Sequence, residues 1–393
     1  MNLKLKNTPE QVELIKAMGS RDMLVSREAQ EAFAAFLGPV LMKVIDHAGT
    51  AGLFYQDSEY DEDDSPSFPL DLYYNEKEGY VTVWSQNMAG GLPSSEVTGV
   101  SEVKIATYRL DSAVSFNKRY ARRSRLEIIS RAVERMAQEV LLKQERNAWA
   151  VVLKALSDGK TTLHKGGNEL DHLFHSGTGT TTPVALNMDI MNKLMTRMTR
   201  IGESFAGGTP AAGSSFGISD LYVSPETMEH LRSLSYQHIA YQHDTDATAA
   251  GTRDISRTSD NLPESIREEI WRSAGMASIW GVALHELIEL GKGHKYSVLL
   301  DEFNAESATI GDINGANNYE YESTTDDVAI GIDASKGAFI RALARNADSG
   351  SSFTALPDDQ WNLNRLDKAG FYGSLEEGRV CIDSRAVVGV VLR

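Results

Sequence analysis

The sequence predicts an α+β protein with more than one lobe, and three observations predict it. Ile129, Val133, Met136 and Val140 recur at spacings of three and four, which marks a helix over 125–156, longer than most globular helices. Val103 to Phe116 before it, and Val328–Ile332 and Gly378–Leu392 after it, are rich in apolar and β-branched residues that suit strands. The chain has 393 residues, 41% hydrophobic and 24% charged, which is enough for two or three lobes with substantial cores.

The elements follow in order. Thr8 and Pro9 open a first helix, and Ser26 leads into REAQEAFAAFL, where Phe33, Phe36 and Leu37 share a face until Gly38 and Pro39 interrupt the pattern. Residues 55–80, as in YDEDDSPSFPLDLYYNEKEGY, are acidic, aromatic and rich in turn formers, and read as an irregular exposed segment. Val81–Trp84 is a short strand. The run from Val103 puts Val103 and Ile105 on one face but Leu110, Val114 and Phe116 on the other, so its phase changes near Tyr108. These two runs and the Gly- and Pro-containing stretch between them predict a long two-stranded arm. Ser124 and Glu127 then make a capping box for the long helix, whose 32 residues would span about 48 Å.

Beyond that helix, residues 157–183 read as a polar Gly- and Thr-rich connector. Leu186–Ile201 is a helix whose stripe of Met188, Met191, Met195 and Met198 is expected to face a core. ISDLYVSPETMEHLRSL reads as strand, turn and helix, and Pro263–Arg272 as a further helix. Ala277–Leu284, Tyr296–Leu300 and Val328–Ile332 read as strands.

Composition narrows the function. No window approaches the ~20 apolar residues a membrane-spanning helix needs, so no membrane partner is expected. The opening MNLKLKNTPEQ lacks an apolar stretch ahead of a small-residue cleavage site, which points to the cytoplasm. Cys381 is the single cysteine, so an internal disulfide and a thiolate cluster are ruled out. A net charge of -16 opposes broad nucleic-acid binding, although an acidic wall suits a container through which packaged DNA must slide.

Catalytic and metal motifs find little support. HELIE at 285–289 has Glu289 where a zinc protease needs its second histidine, and it lies in strand-like sequence. His164, Asp171, His172 and His175 could gather round a metal, but their glycine-rich setting favours a solvated connector. Asp312, Asn314 and Gly315 are a fragment of a calcium loop without its ligand alternation, and the Asp61–Asp64 run suits solvated surface. HSGTGTTT at 175–182 lacks the Gly-Lys-Ser/Thr ending of a phosphate loop, and no Gly-x-Ser-x-Gly elbow exists. No catalytic residue, cofactor site or metal site is therefore expected.

EVKIATYRLDSAVSFNKRYARRS, running straight into the 125–156 helix, resembles the descending strand of an extended loop that joins a spine helix in tailed-phage major capsid proteins. LYVSPETMEHLRSL resembles the strand–turn–helix of that family's axial domain, and IWGVAL at 279–284 its apolar strand with an aromatic-Gly pair. FYGSLEEGRVCIDSRAVVGVVLR resembles its closing segment, which returns to the peripheral domain and ends at the axial one. The succession of these unlike elements, from about residue 75 to the end, is similar to the Hong Kong 97 fold.

That resemblance implies an N-terminal arm over 1–53 and a peripheral-domain entry with extended loop over 54–118, the hairpin lying at about 80–116. It implies a peripheral domain with the spine helix 125–156 over 119–183, an axial domain over 184–365 and a returning β segment over 366–393. The implied role is a non-enzymatic capsid subunit that assembles as hexamers and pentamers of an icosahedral head. The head would enclose double-stranded DNA without sequence-specific contacts, with a separate scaffolding protein, a portal and a decoration protein as partners. Protruding arms satisfy their unpaired edges only across copies. Trp84, Met88, Leu92 and Pro93 at the hairpin, and Arg119, Arg122, Arg123 and Arg125 beside the spine, are the expected intersubunit contacts, the arginines meeting a neighbour's acidic hairpin. Residues 85–101 hold no lysine, against the loop-lysine crosslink of some family members, and no long scaffolding region precedes the hairpin. Competing readings are an encapsulin-like compartment shell and, from another class, a cytoplasmic hydrolase.

Overall fold

Helix α4 (Leu126–Asp158) runs for 33 residues, close to the span predicted from its apolar spacing. The computed structural model describes residues 9–46, 49–61, 65–69, 102–123, 126–162, 169–177, 182–203, 217–236, 278–304, 310–315, 317–345, 353–357 and 366–393. The chain divides into two units. The first comprises Met1–Leu70, Val100–Trp149 and Phe339–Val380; the second comprises Asp71–Gly99, Ala150–Ala338 and Cys381–Arg393. Residues 339–345 and 353–357, inside the 184–365 stretch expected as one lobe, thus contribute to the first unit.

In the first unit, α1 (Pro9–Met18) and α2 (Met23–Asp46) pack on each other, and α2 lies on β13 (Phe353–Pro357). Ile15, Met18, Ala29, Phe33 and Ala34 share a core with Ile129, Val133, Met136 and Val140 of α4. Residues 9–35, expected as an arm satisfied by other copies, are therefore folded onto their own unit, because their apolar face meets the helix stripe there. Ser26 does not cap α2: Asp22 accepts from the Leu24 amide at 3.1 Å, and the Ser26 hydroxyl donates to the Met18 carbonyl at 2.8 Å. The helix also continues past Gly38 and Pro39 to Asp46.

β1 (Tyr55–Asp61) runs parallel to β12 (Phe339–Arg345), and β14 (Lys368–Cys381) completes the sheet with β12, β13 and β4 (Thr107–Asn117). The run from Val103 is two strands. β3 (Glu102–Lys104) pairs with β2 (Ser67–Pro69), and the chain breaks at Ile105–Ala106 before β4 begins, just ahead of Tyr108, near which the phase change was expected. Along β4, Leu110 and Val114 pack against the core and Phe116 is buried, while Arg109, Asp111, Ala113 and Ser115 are exposed. β4 pairs antiparallel with β14, from Thr107↔Gly378 to Asn117↔Lys368. The Val81–Trp84 run, the hairpin tip and the 263–272 helix lie outside the described residues, as do Ser124 and Arg125.

The second unit is built on a six-stranded sheet in the order β7-β15-β11-β8-β10-β9. Its strands are β7 (Leu173–His175), β8 (Asp220–Val223), β9 (Ser278–Ile279), β10 (Val282–Glu286), β11 (Asp327–Ile332) and β15 (Val387–Leu392). β5 (Lys160–Thr162) and β6 (Glu169–Asp171) form a separate ribbon. α5 (Met188–Glu203) lays Met191 and Met198, fully, and Met188 and Met195, partly, into the core, so the methionine stripe is a core face. β8 leads through Ser224 into α6 (Pro225–Tyr236), as the strand–turn–helix pattern predicted.

Three expectations are corrected in this unit. The 157–183 connector contains β5, β6 and β7, and His172 and His175 are buried at 0% and 1% exposure because β7 joins β15 at the sheet edge. Ala277–Leu284 is a hairpin: Trp280 and Gly281, with φ of 52° and 83°, turn the chain between β9 and β10. Tyr296–Leu300 belongs to a helix, α7 (Lys295–Asn304), which buries Tyr296, Ser297 and Leu300 on one face.

Candidate assembly surface

The junction between β4 and α4 carries Lys118, Arg119, Arg122 and Arg123. Asn117 ends β4 and caps α3 (Lys118–Arg122), accepting from the Arg119 amide at 2.9 Å. Lys118 is buried, its amide donating to the Asp367 carbonyl at 2.9 Å and its Nζ to the Ser26 hydroxyl at 3.3 Å. Burial lowers the pKa of this ammonium, with Asp367 pulling the other way.

Arg122 is engaged inside its own chain. Its Nε donates to the Gly19 carbonyl at 2.7 Å and its Nη2 pairs with Asp367 Oδ1 at 2.9 Å. Arg119 and Arg123 are exposed and sit one helical turn apart, the Arg123 amide donating to the Arg119 carbonyl. Of the eight expected contact residues, Arg119, Arg122 and Arg123 are thus brought to one corner; Trp84, Met88, Leu92, Pro93 and Arg125 lie outside the described residues.

Apolar side chains collect at the same corner. Met23, Leu24 and Val25 are 57%, 71% and 42% exposed, and they lie between Gly19 and Ser26, which bond to Arg122 and Lys118. Leu366, 62% exposed, precedes Asp367, and Tyr120 of α3 is also exposed.

At the other end of β4 a polar cluster joins β4 and β14 to α4. The Glu377 carboxylate is fully buried and accepts from Tyr108 Oη at 2.7 Å, from Gln144 Nε2 at 2.9 Å and from Arg379 at 3.3 Å. The Arg379 guanidinium lies 4.9 Å from the centroid of the Tyr55 ring, and Tyr55 Oη donates to the Ala148 carbonyl of α4. Burial, then the Glu377 charge, raises the Tyr108 pKa. The sequence reading missed these residues. The signal was present in the period-two alternation of Phe371, Gly373 and Leu375, which carries Glu377 and Arg379 to the inner face.

Polar groups in the second unit are arranged as local caps. His285 of HELIE is on β10, as strand-like sequence predicted, and its Nε2 meets Asp220 Oδ1 at 2.8 Å while its ring stacks on Tyr222. Asp312 accepts from the Asn314 amide and from Asn317 Nδ2, which ties the calcium-loop fragment into a turn. Among the described residues no three His, Cys, Asp or Glu side chains gather as a metal site. Burial pushes the Cys381 thiol up to about 12, so it is protonated at neutral pH.

The sequence matches no protein-family model and no curated protein. Among solved structures, the capsid of the cyanophage P-SCSP1u is 11% identical, covers 86% of this chain and 86% of its own, and gives a TM-score of 0.45. The capsid of cyanophage Pam1 is 10% identical over 86% of this chain and 88% of its own, with a TM-score of 0.43. The holo-SrpI encapsulin complex of Synechococcus elongatus PCC 7942 is 10% identical over 74% and 75%, with a TM-score of 0.35.

Proposed function

We propose that this chain is the major capsid protein of a tailed phage, a non-enzymatic subunit that assembles into an icosahedral head around double-stranded DNA. One observation carries the proposal: β4 is paired to β14 from end to end and passes through the five-residue α3 directly into the 33-residue α4. A strand held this firmly at the root of a long helix suits an arm that transmits load between copies. The closing segment supports the same reading, since β14 belongs to the first unit and β15 is an interior strand of the second unit's sheet, as the returning segment of the family would be.

In this reading the subunits form hexamers and pentamers, a separate scaffolding protein and a portal guide their assembly, a decoration protein binds outside, and the protein resides in the virion. The net charge of -16 leaves packaged DNA mobile against the wall. Contacts summed over many copies, and not any bond-making step, hold the shell against internal pressure.

Sedimentation and negative-stain microscopy of the purified chain, with its scaffolding partner co-expressed, test the proposal. Uniform hollow particles are expected. A monodisperse small oligomer under both conditions would overturn it.

A further inference from the structure

We infer that Asn314 is a site of slow spontaneous deamidation, and that the turn built on Asp312 sets its rate. Asn314–Gly315 is the single Asn-Gly pair in the chain. A following glycine favours this chemistry, because no Cβ shields its amide nitrogen from the asparagine side chain. Both residues are exposed, so water and base reach the Asn314 carboxamide.

The backbone on either side of the pair is held at several points. The Gly315 amide donates to the Asp312 carbonyl at 2.9 Å, and the Asn314 amide to Asp312 Oδ1 at 2.8 Å. Asp312 Oδ2 accepts from Asn317 Nδ2 at 2.9 Å, and the buried Arg197 donates to the Ile313 carbonyl at 2.8 Å. A Cβ on Gly311 would lie 3.1 Å from Gly315 Cα, so the loop is also closely packed on itself.

In the reaction, base takes the Gly315 amide proton and the nitrogen attacks Asn314 Cγ. The new C–N bond closes a five-membered succinimide, the Cγ–Nδ2 bond breaks, and ammonia leaves with a proton returned by the conjugate acid of the base. Water then opens the ring to aspartate or to isoaspartate, which carries an extra backbone carbon. Asp312 opposes the first step twice. Its carbonyl holds the proton that must depart, and its carboxylate, bonded to the adjoining amide, disfavours a second negative charge nearby. The reaction therefore proceeds through opening of the turn, and the extra carbon of isoaspartate stops it from closing again.

Peptide mapping by mass spectrometry with electron-transfer fragmentation, after incubation of the folded protein at mildly alkaline pH, tests the site. Aspartate and isoaspartate are expected at 314 ahead of every other asparagine, and more slowly than in the same protein unfolded in urea. Asp312→Ala should raise the folded-state rate roughly tenfold, as loss of two hydrogen bonds would, and leave the rate in urea unchanged. Asn317→Gly removes only the bond to Asp312 Oδ2, with glycine suited to the φ of 54° there, and should raise it less. Thermal melts of each variant show that it is folded; should Asp312→Ala fail to fold, Asn317→Gly carries the comparison. No conversion at 314 in the folded protein, conversion no faster than at other asparagines, or a folded-state rate unmoved by the folded variants would overturn the inference.

Discussion

Glu377 and Arg379, two residues apart on β14, form an ion pair closed off from solvent, with the Arg379 side chain 4% exposed and that of Glu377 0%. A buried carboxylate is tolerated only when its lone pairs are satisfied, and Tyr108 of β4 and Gln144 of α4 complete the set. The cluster thereby ties the strand that leaves the 71–101 segment to the middle of the long helix.

Removing the carboxylate while leaving the guanidinium buried should be severe. Glu377→Leu is expected to cost about 3–5 kcal/mol, whereas Tyr108→Phe removes one charge-assisted hydrogen bond and should cost about 1.5–3 kcal/mol. Urea unfolding at fixed pH measures both, and the double variant should cost less than the sum if the residues act as one cluster.

Gly373 tests the packing of β14 on β13. A Cβ at this position would lie 2.4 Å from the Phe353 ring, which is itself 2% exposed and has little room to move. Gly373→Ala should therefore destabilise the first unit by about 1–3 kcal/mol, read as a lower urea midpoint at unchanged slope.

Asp327 predicts a pH dependence. Its carboxylate accepts from the Ser224 and Thr227 hydroxyls and from its own Val328 amide, but burial outweighs these bonds and raises its pKa above the ordinary 3.8. A carboxyl whose pKa is raised on folding contributes stability that is complete below 3.8 and is lost as pH climbs through the raised value. Wild type should gain stability relative to Asp327→Asn as pH falls from 7 toward 4, in paired thermal melts.

Trp280 is held at φ 52° with its side chain half exposed, a conformation that costs a bulky residue roughly 1–2 kcal/mol and glycine nothing. Trp280→Gly should relieve part of that cost. A rise in stability by about 1 kcal/mol, measured by denaturant unfolding, is the expected outcome.

How far the sequence could be read depended on how local each signal was. The spacing of Ile129, Val133, Met136 and Val140 set the helix face regardless of what covered it, and the alternation of Leu110, Val114 and Phe116 did the same for β4. Tyr296–Leu300 failed because four apolar residues around Ser297 fit either period; only the pattern of burial along ten residues makes it a helix. The 169–177 stretch failed because its composition is that of a loop, while its place beside β15 is a matter of contact with residues over two hundred positions away. For the candidate surface, the arginines were visible as a charge run, but that Arg122 is spent on Gly19 and Asp367 was not.

The amino-acid order alone determined that the stretches of α4 and β4 are helix and strand and which of their faces are apolar, because those periods are written within a few turns of chain. Tertiary structure alone decided that β4 takes β14 as partner and that Glu377 meets Tyr108, 269 residues away. A strand edge will accept many partners, and the choice among them is made only when distant segments compete for the same buried surface.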